Sequence, residues 1–570
     1  MADKQPLLVV QHGEAQPHID ACGSASFNGG SHDIYITAAA AAARQRRRQA
    51  VRRVHFLGFV LFLVVGYYTH GFGLPKLAST VFHWKSGYLH DGKGGDDFLN
   101  IGSTPLEGPL VLPDSPQCHF HDGINEPHVY PLARYPLAFG DDHSVTILQN
   151  STRHLAPPYD PPFDDDGDYR WRHVHVTGEV VVRKTDDNSK KEASVEVEAV
   201  SNDERIHTKV VFDKKTQKLS VIVDDRIWVE REHWHDGQGA CLVARVTVWV
   251  PAEHLETFRV GAVHLGVQLL EDLELVVNES ARLTSVVGSI VAARTLKTET
   301  VHQKGKKDKK KHCDGESFEF PSGYHFGAKQ LDVATTSSPI RGPWSLLDRL
   351  HIFSVSGSVA VSVRAEGEEE DHKDLADLRI ETVSGNVGFE EIKGDEKDEV
   401  SRPHRLALST RSGTLHGSGS FAQLGRVSTT SGNIAVALTP HKLKENGDEP
   451  ASLDTSTVSG KTVVYLLKEA HDHSIDFLES THHAVSGEIT MHYPASWVGD
   501  IHLETLAGGK LVVEGKGVHV VPDDSPRWPP KVGRKVDAIK ESPDGETDKD
   551  RRSSLKADTV SGRVQLFFPE

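Results

Sequence analysis

A chain that writes Ser-Gly at Ser356, Ser384, Ser412, Ser431, Ser459, Ser486 and Ser561 is committed to a repeating architecture. The successive separations are 28, 28, 19, 28, 27 and 75 residues, mostly within the range of stacked arrays. The register around the pair is more specific than the dipeptide. Apolar or small residues sit six, four and two places before each Ser, and three, five and seven places after it. Around Ser384 these are Leu378, Ile380 and Thr382, then Val387 and Phe389; around Ser561 they are Leu555, Ala557 and Thr559, then Val564, Leu566 and Phe568. Alternation at period two is the pattern of a strand with one buried face. The buried parity flips across the Gly in every copy, which a continuous strand does only at a bulge or corner.

The predicted corners are Gly357, Gly385, Gly413, Gly432, Gly460, Gly487 and Gly562, with two degenerate copies at Gly288 and Gly508. Glycine suits such corners because it tolerates positive φ and close backbone approach. One copy holds too little apolar surface to fold alone, so the pattern predicts a stack in which neighbouring copies pair. A sandwich of unrelated hairpins is the competing arrangement, and the fixed register favours the stack. Period-two alternation without Ser-Gly begins near Val174 and recurs at Val195, Leu219 and Val246. The expected class is therefore all-β: a repetitive, β-helix-like solenoid over 280–570, led in by a β-rich region over 171–300. Polar insertions are placed at 301–315, 365–375, 391–403, 440–450 and 522–552. Because the last copy runs to Phe567 and Phe568 with no polar cap, an open end at the C-terminus is expected.

Residues 54–74 contain no Lys, Arg, Asp or Glu, and as a helix they would span about 31 Å, against a hydrocarbon core of about 30 Å. A long preceding segment and a poor cleavage site argue for a retained anchor over 51–74. Arg44, Arg46, Arg47, Arg48, Arg52 and Arg53 crowd its N-terminal side. The positive-inside bias then keeps a disordered 1–50 tail cytosolic and sends the rest outside or into a lumen. A Pro-, Asp- and His-rich stalk over 75–170 follows. The sequons at Asn150 and Asn278 both fall on the exported side. So do Cys118, Cys241 and Cys313, which allow one disulfide whose pairing the sequence leaves open.

A net charge of −17, with Lys and Arg clustered only in short runs, excludes an extended nucleic-acid surface. His-x-His occurs at 119/121, 173/175, 233/235 and 471/473, but a metal site needs a third ligand that no spacing supplies. The Asp164–Asp168 run lacks the first ligand position of a calcium loop. No nucleophile elbow, zinc-protease motif, P-loop or dinucleotide fingerprint is present. No catalytic residue, cofactor or metal is therefore assigned.

The motifs Thr-Val-Ser-Gly-Asn-Val at 382–387 and Thr-Val-Ser-Gly-Arg-Val at 559–564, preceded by Val246-Thr-Val-Trp-Val-Pro251, resemble the adhesin domain family of unknown function found in bacterial and fungal surface proteins. The likeness covers about residues 240–570. It implies a right-handed β-solenoid, a surface location and an adhesion role, and it carries no catalytic or binding residues. The long insertions and the basic N-terminal anchor resemble the fungal members. The expected function is a membrane-anchored, non-catalytic binding or scaffold protein with a cell-wall, glycan or protein ligand. The alternative is a polysaccharide lyase or hydrolase on the same fold.

Overall fold

The computed structural model describes residues 108–113, 118, 126–138, 143–152, 169–185, 192–230, 239–251, 255–295, 318–366, 375–392, 402–441, 450–468, 477–507, 509–522, 533–541 and 552–569. The expected tail, anchor, Arg cluster and first part of the stalk lie outside these residues. Among the described residues no helix is long and apolar enough to cross a membrane. They form strands and no helix, joined into one long, mostly parallel sheet.

The sheet is folded into two columns. One column holds the strands that precede a Ser-Gly pair, the other those that follow it, and each strand pairs in parallel with its counterpart one repeat away. Ala376–Thr382 pairs with Arg349–Ser354 on one side and His404–Ser412 on the other. Val387–Glu391 does the same between Val359–Ala365 and Leu415–Ala422. Inward residues of both columns, among them Leu378, Ile380, Val387 and Phe389, belong to one continuous hydrophobic core. Phe258, Phe326 and Trp344 form its aromatic section, with successive ring centroids 6.3 Å apart.

Close approach fixes glycine at the corners. A Cβ on Gly385 would lie 2.0 Å from the Gly357 carbonyl oxygen, on Gly432 1.8 Å from that of Gly413, and on Gly562 1.7 Å from that of Gly487. Each corner glycine thus packs against the carbonyl of its neighbour in the stack. Positive φ is a minor reason: of the seven Ser-Gly corners only Gly460, at +148°, lies in that range. Gly508 falls outside the described residues, and Gly509 occupies its stacked position, where a Cβ would meet the Gly562 oxygen.

The threonine two places before Ser also has a cause. Thr382 Oγ1 lies 2.7 Å from the Gly385 carbonyl oxygen and 2.8 Å from Thr410 Oγ1. Its hydroxyl satisfies a corner carbonyl that the turn removes from the ladder.

The stack begins earlier than the Ser-Gly pairs. Ser144–Thr152, inside the expected stalk, pairs in parallel with Leu255–Ala262 and buries Val145 and Ile147. Gln149 replaces the Ser-Gly chemistry there: its Oε1 accepts the Val263 and His264 amides at 2.9 and 2.8 Å. A further copy, His325–Thr335 followed by Ile340–Leu346, carries Ser337-Ser338 where others carry Ser-Gly. This end is covered by antiparallel strands. Ser194–Ser201 lies on Ala240–Val250, and Thr208–Asp213 lies on Lys218–Asp224. Ala240–Val250 is buried along its whole length, as a strand covered on both faces must be.

The C-terminal order differs from the chain order. Ser553–Ser561 pairs with both Leu478–His492 and Gly499–Thr505, and Val564–Phe568 pairs with both Leu478–His492 and Leu511–Gly515. The last copy is therefore inserted between the two that precede it, which corrects the expected open end at Phe567 and Phe568. Tyr465, His492 and Phe567 stack on three successive rungs, at 4.6 and 5.3 Å between centroids. Arg534–Lys540, inside the expected 522–552 insertion, pairs antiparallel with Gly499–Thr505.

Cys118 and Cys241 form a disulfide, while Cys313 lies outside the described residues. The bond ties the 108–118 segment to the closed end, where Leu110 packs with Val200 and Val243 and Arg245 donates to the Gly108 carbonyl at 2.9 Å. Because it closes a long loop, Cys118→Ser should cost about 2–4 kcal/mol. Urea unfolding of the wild type with and without reductant should show the same loss, and a smaller reductant effect in the variant.

Candidate functional site

The outward positions of the first column form straight files of side chains, one per rung and about 4.8 Å apart. One file contains Asp332, His351 and Arg379 in register, and its neighbour contains Glu381, Ser409, Ser428 and Ser456. Parallel pairing at fixed register brings together residues far apart in sequence, and these files are the richest concentration of chemistry on the wall.

Asp332 is the centre of the first cluster. Arg282 and Arg349 each reach it at 3.1 Å. His351 stands between two carboxylates, with Nδ1 3.7 Å from Asp332 and Nε2 3.7 Å from Glu381. Glu381 accepts from Arg379 at 2.7 Å and from the Ser409 hydroxyl at 3.3 Å. His351 holds both carboxyls below the usual range, helped by Arg282 and Arg349 at Asp332 and by Arg379 at Glu381, whose pKa falls to about 2. Burial alone would lower the His351 pKa, but the two carboxylates outweigh it and raise the value. A raised folded-state pKa contributes stability below the unfolded value near 6.5 and loses it as pH rises through the folded value. Wild type should therefore lose more stability than His351→Gln between pH 6.5 and 8, read from urea midpoints.

A second cluster lies toward the far end. His483 Nδ1 is 2.6 Å from Asp558, and His502 Nδ1 is 2.7 Å from Asp537. A groove of about 340 Å³ opens beside it, lined in part by Asp500, His502, Val521, Asp537, Ser554 and Lys556. Between the clusters the wall carries the short hydroxyls of Ser409, Ser428 and Ser456. Among the described residues no three His, Cys, Asp or Glu side chains converge as a metal site. His173 and His175 sit on one exposed strand face, and the other His-x-His triplets lie outside the described residues.

Two clusters face inward. Ser420 Oγ lies 2.9 and 2.7 Å from the Glu391 carboxylate oxygens, and His404 Nε2 is 3.9 Å from Glu391; all three side chains are buried. His482, in register with Thr455 on one side and Ala557 on the other, contacts Thr455 Oγ1 at 2.7 Å and Tyr493 Oη at 2.9 Å. Burial lowers the His482 pKa to about 3. The folded state keeps this ring neutral, whereas the unfolded chain protonates it near pH 6.5, so its stabilisation is complete above that pH and is lost as pH falls toward 3. At about 1.4 kcal/mol per pH unit, urea midpoints of wild type should fall more steeply between pH 6.5 and 4 than those of His482→Gln.

The predicted modification and corner residues are placed as follows. Asn150 is exposed at the end of its strand, whereas Asn278 is half-buried and donates to Glu256 at 2.9 Å. The corners Gly288, Gly357, Gly385, Gly413, Gly432, Gly460, Gly487 and Gly562 all lie at close backbone contacts. No local pattern in the sequence announces the His351 and His502 clusters, since their cross-rung partners are separated by 17 to 75 residues and only the register joins them.

No protein-family profile matches the chain, and no curated protein matches it. Among solved structures, a candidate cell adhesion protein from Clostridium sporogenes aligns over 77% of this chain and 99% of its own, at 6% identity and a TM-score of 0.13. Such a score does not establish a shared architecture.

Proposed function

We propose that this chain is a membrane-anchored β-solenoid, exported beyond its Arg-flanked anchor, that works as a non-catalytic adhesin-like binding or scaffold protein. The observation that carries the reading is the outer wall. Its acidic groups are tied to cations across rungs, and a hydroxyl-lined strip at Ser409, Ser428 and Ser456 runs between two charged clusters. A straight, polar strip of this kind suits an extended glycan or protein segment, held by many weak hydrogen bonds along its length. The Cys118–Cys241 disulfide supports an oxidising compartment, and the exposed Asn150 supports a glycosylated exterior.

The test has two arms. In a microsomal import assay the chain should gain a glycosidase-sensitive mass that Asn150→Gln abolishes; an unmodified, protease-accessible C-terminal region would refute export. On cell-wall polysaccharide and glycan arrays, the full-length protein should bind and Ser428→Arg should abolish binding. Equal binding by the variant would move the ligand off this wall.

Asp332 and Glu381 favour a second reading, a carbohydrate-active enzyme. They flank His351 on one wall, each 3.7 Å from one of its ring nitrogens, which keeps the carboxylates within about 10 Å of each other, near the spacing of inverting glycosidases. Their depressed pKa values weigh against it, because a general acid must hold a proton near neutral pH. Release of reducing ends from polysaccharide, lost in Glu381→Gln, would establish that reading.

A further inference from the structure

The two ends of the stack are finished differently. At the N-terminal end both columns are covered by antiparallel strands. At the far end, among the described residues, only one column is covered: Arg534–Lys540 lies on Gly499–Thr505, and Val518–Val521 lies on Arg534–Lys540. The other column stops at Leu511–Gly515, which pairs with Val564–Phe568 on one side and, among the described residues, with no strand on the other. The end face is therefore a step, raised by two strands, or about 10 Å, over one column and bare over the other.

Among the described residues, both levels of the step have an unpaired strand edge and uncovered apolar side chains. Leu511 and Val513 occupy inward positions, in register with the buried Val564 and Leu566, yet they are only half-buried. Val520, in register with the buried Ala538, is 60% exposed. Unpaired edges of this kind recruit another strand.

We propose that this stepped end is a self-recognition surface on which a second copy of the chain docks tail to tail. A two-fold axis along the strand direction exchanges the columns and reverses the stack. It sets the raised edge of each copy, Val518–Val521, on the bare edge of the other, Leu511–Gly515. The strand directions in the two columns are opposed, so these edges meet antiparallel. Setting Leu511 against Val520 and Val513 against Val518 of the copy keeps all four on the core side. The same register sets Glu514 opposite Gly517 of the copy and diagonal to His519 on the outer face, with the Lys516 ammonium of the copy one residue further along. Because the two-fold contact uses the raised and the bare edge of each copy at once, it closes as a dimer instead of a filament. The proposal does not rest on the ligand reading of the wall, although Val521 also lines the groove beside the second cluster.

The test uses the full-length chain in detergent, with Cys22 and Cys313 replaced by Ser. Sedimentation at about 10 µM is expected to give twice the protomer mass, and Val520→Lys, at an already exposed position, should return a single protomer mass while leaving the thermal midpoint within a few degrees. Val129→Lys, at the other end, should leave the dimer intact. Mixing separately tagged Val512→Cys and His519→Cys chains should yield an inter-chain disulfide. A monomeric wild type would overturn the proposal, as would a dimer indifferent to Val520→Lys. So would hydrogen exchange showing the 511–515 amides protected in the monomer by the chain's own 523–532 segment.

Discussion

Ending the chain after Glu541, so that Ser553–Ser561 and Val564–Phe568 are lost, is expected to unfold the C-terminal part of the stack and not merely shorten it. In a repeat array built in chain order, removing the last copy removes one interface and leaves a new end. Here the last copy fills the gap between Leu478–His492 and the strands Gly499–Thr505 and Leu511–Gly515. Its removal takes away two interfaces at once. It exposes buried Leu478, Ile489, Met491, Ile501 and Leu503, and strips Leu511–Gly515 of its only strand partner among the described residues. The cost is comparable to the stability of an ordinary domain, about 5–15 kcal/mol. Limited proteolysis of the truncated chain should cleave throughout 478–541 while sparing the rungs before residue 440. A truncated chain with native protease resistance would show that the copies stack in chain order.

Gly432→Ala is expected to be among the most damaging single methyl additions. The new Cβ would sit 1.8 Å from the Gly413 carbonyl oxygen, and the obstacle is backbone belonging to the next rung, which cannot rotate away. Relief requires separating two rungs over several residues, a cost above about 4 kcal/mol, in the range reserved for core disruption. Ser431→Ala, one residue earlier and exposed, should change stability by about 0.5 kcal/mol or less. Urea unfolding of the pair separates a steric role for the glycine from a general importance of the motif. Equal, small effects would mean that the corners are not in contact.

The contrast between these two positions shows what the sequence could reveal. The repeat, its parity switch and its corners were legible because each is a local pattern, repeated with enough copies to stand out from ordinary strand alternation. The reason for the glycines was only half legible. Both positive φ and close approach permit glycine, and only the stacked carbonyls choose between them. The rungs near the N-terminus were hidden because Gln149 and Ser337-Ser338 perform the corner chemistry with other atoms. The turns that close each rung were hidden for a similar reason: Gln423 and Phe477, at φ of 62° and 65°, occupy a conformation usually given to Gly or Asn.

The order of the last copies was not legible at all. Every copy presents the same inward pattern, so a parallel column accepts them in any order that the linkers can span. What selects the observed order is specific packing, such as Phe568 stacked on Trp497 at 5.7 Å and Asp558 on His483. The wall clusters share this limit. Arg282, Asp332, His351 and Glu381 are ordinary surface charges in sequence, and they become a network only when four rungs are placed in register.

Disulfide trapping across the inserted copy tests the central claim most directly. In a background with Cys22 and Cys313 replaced by Ser, cysteines at Ser486 and Ser561 lie in register on neighbouring rungs, whereas cysteines at Ser486 and Ala507 are separated by the rung between. The account predicts rapid intramolecular cross-linking of the first pair and none of the second; cross-linking of Ser486→Cys with Ala507→Cys, and not with Ser561→Cys, would contradict it.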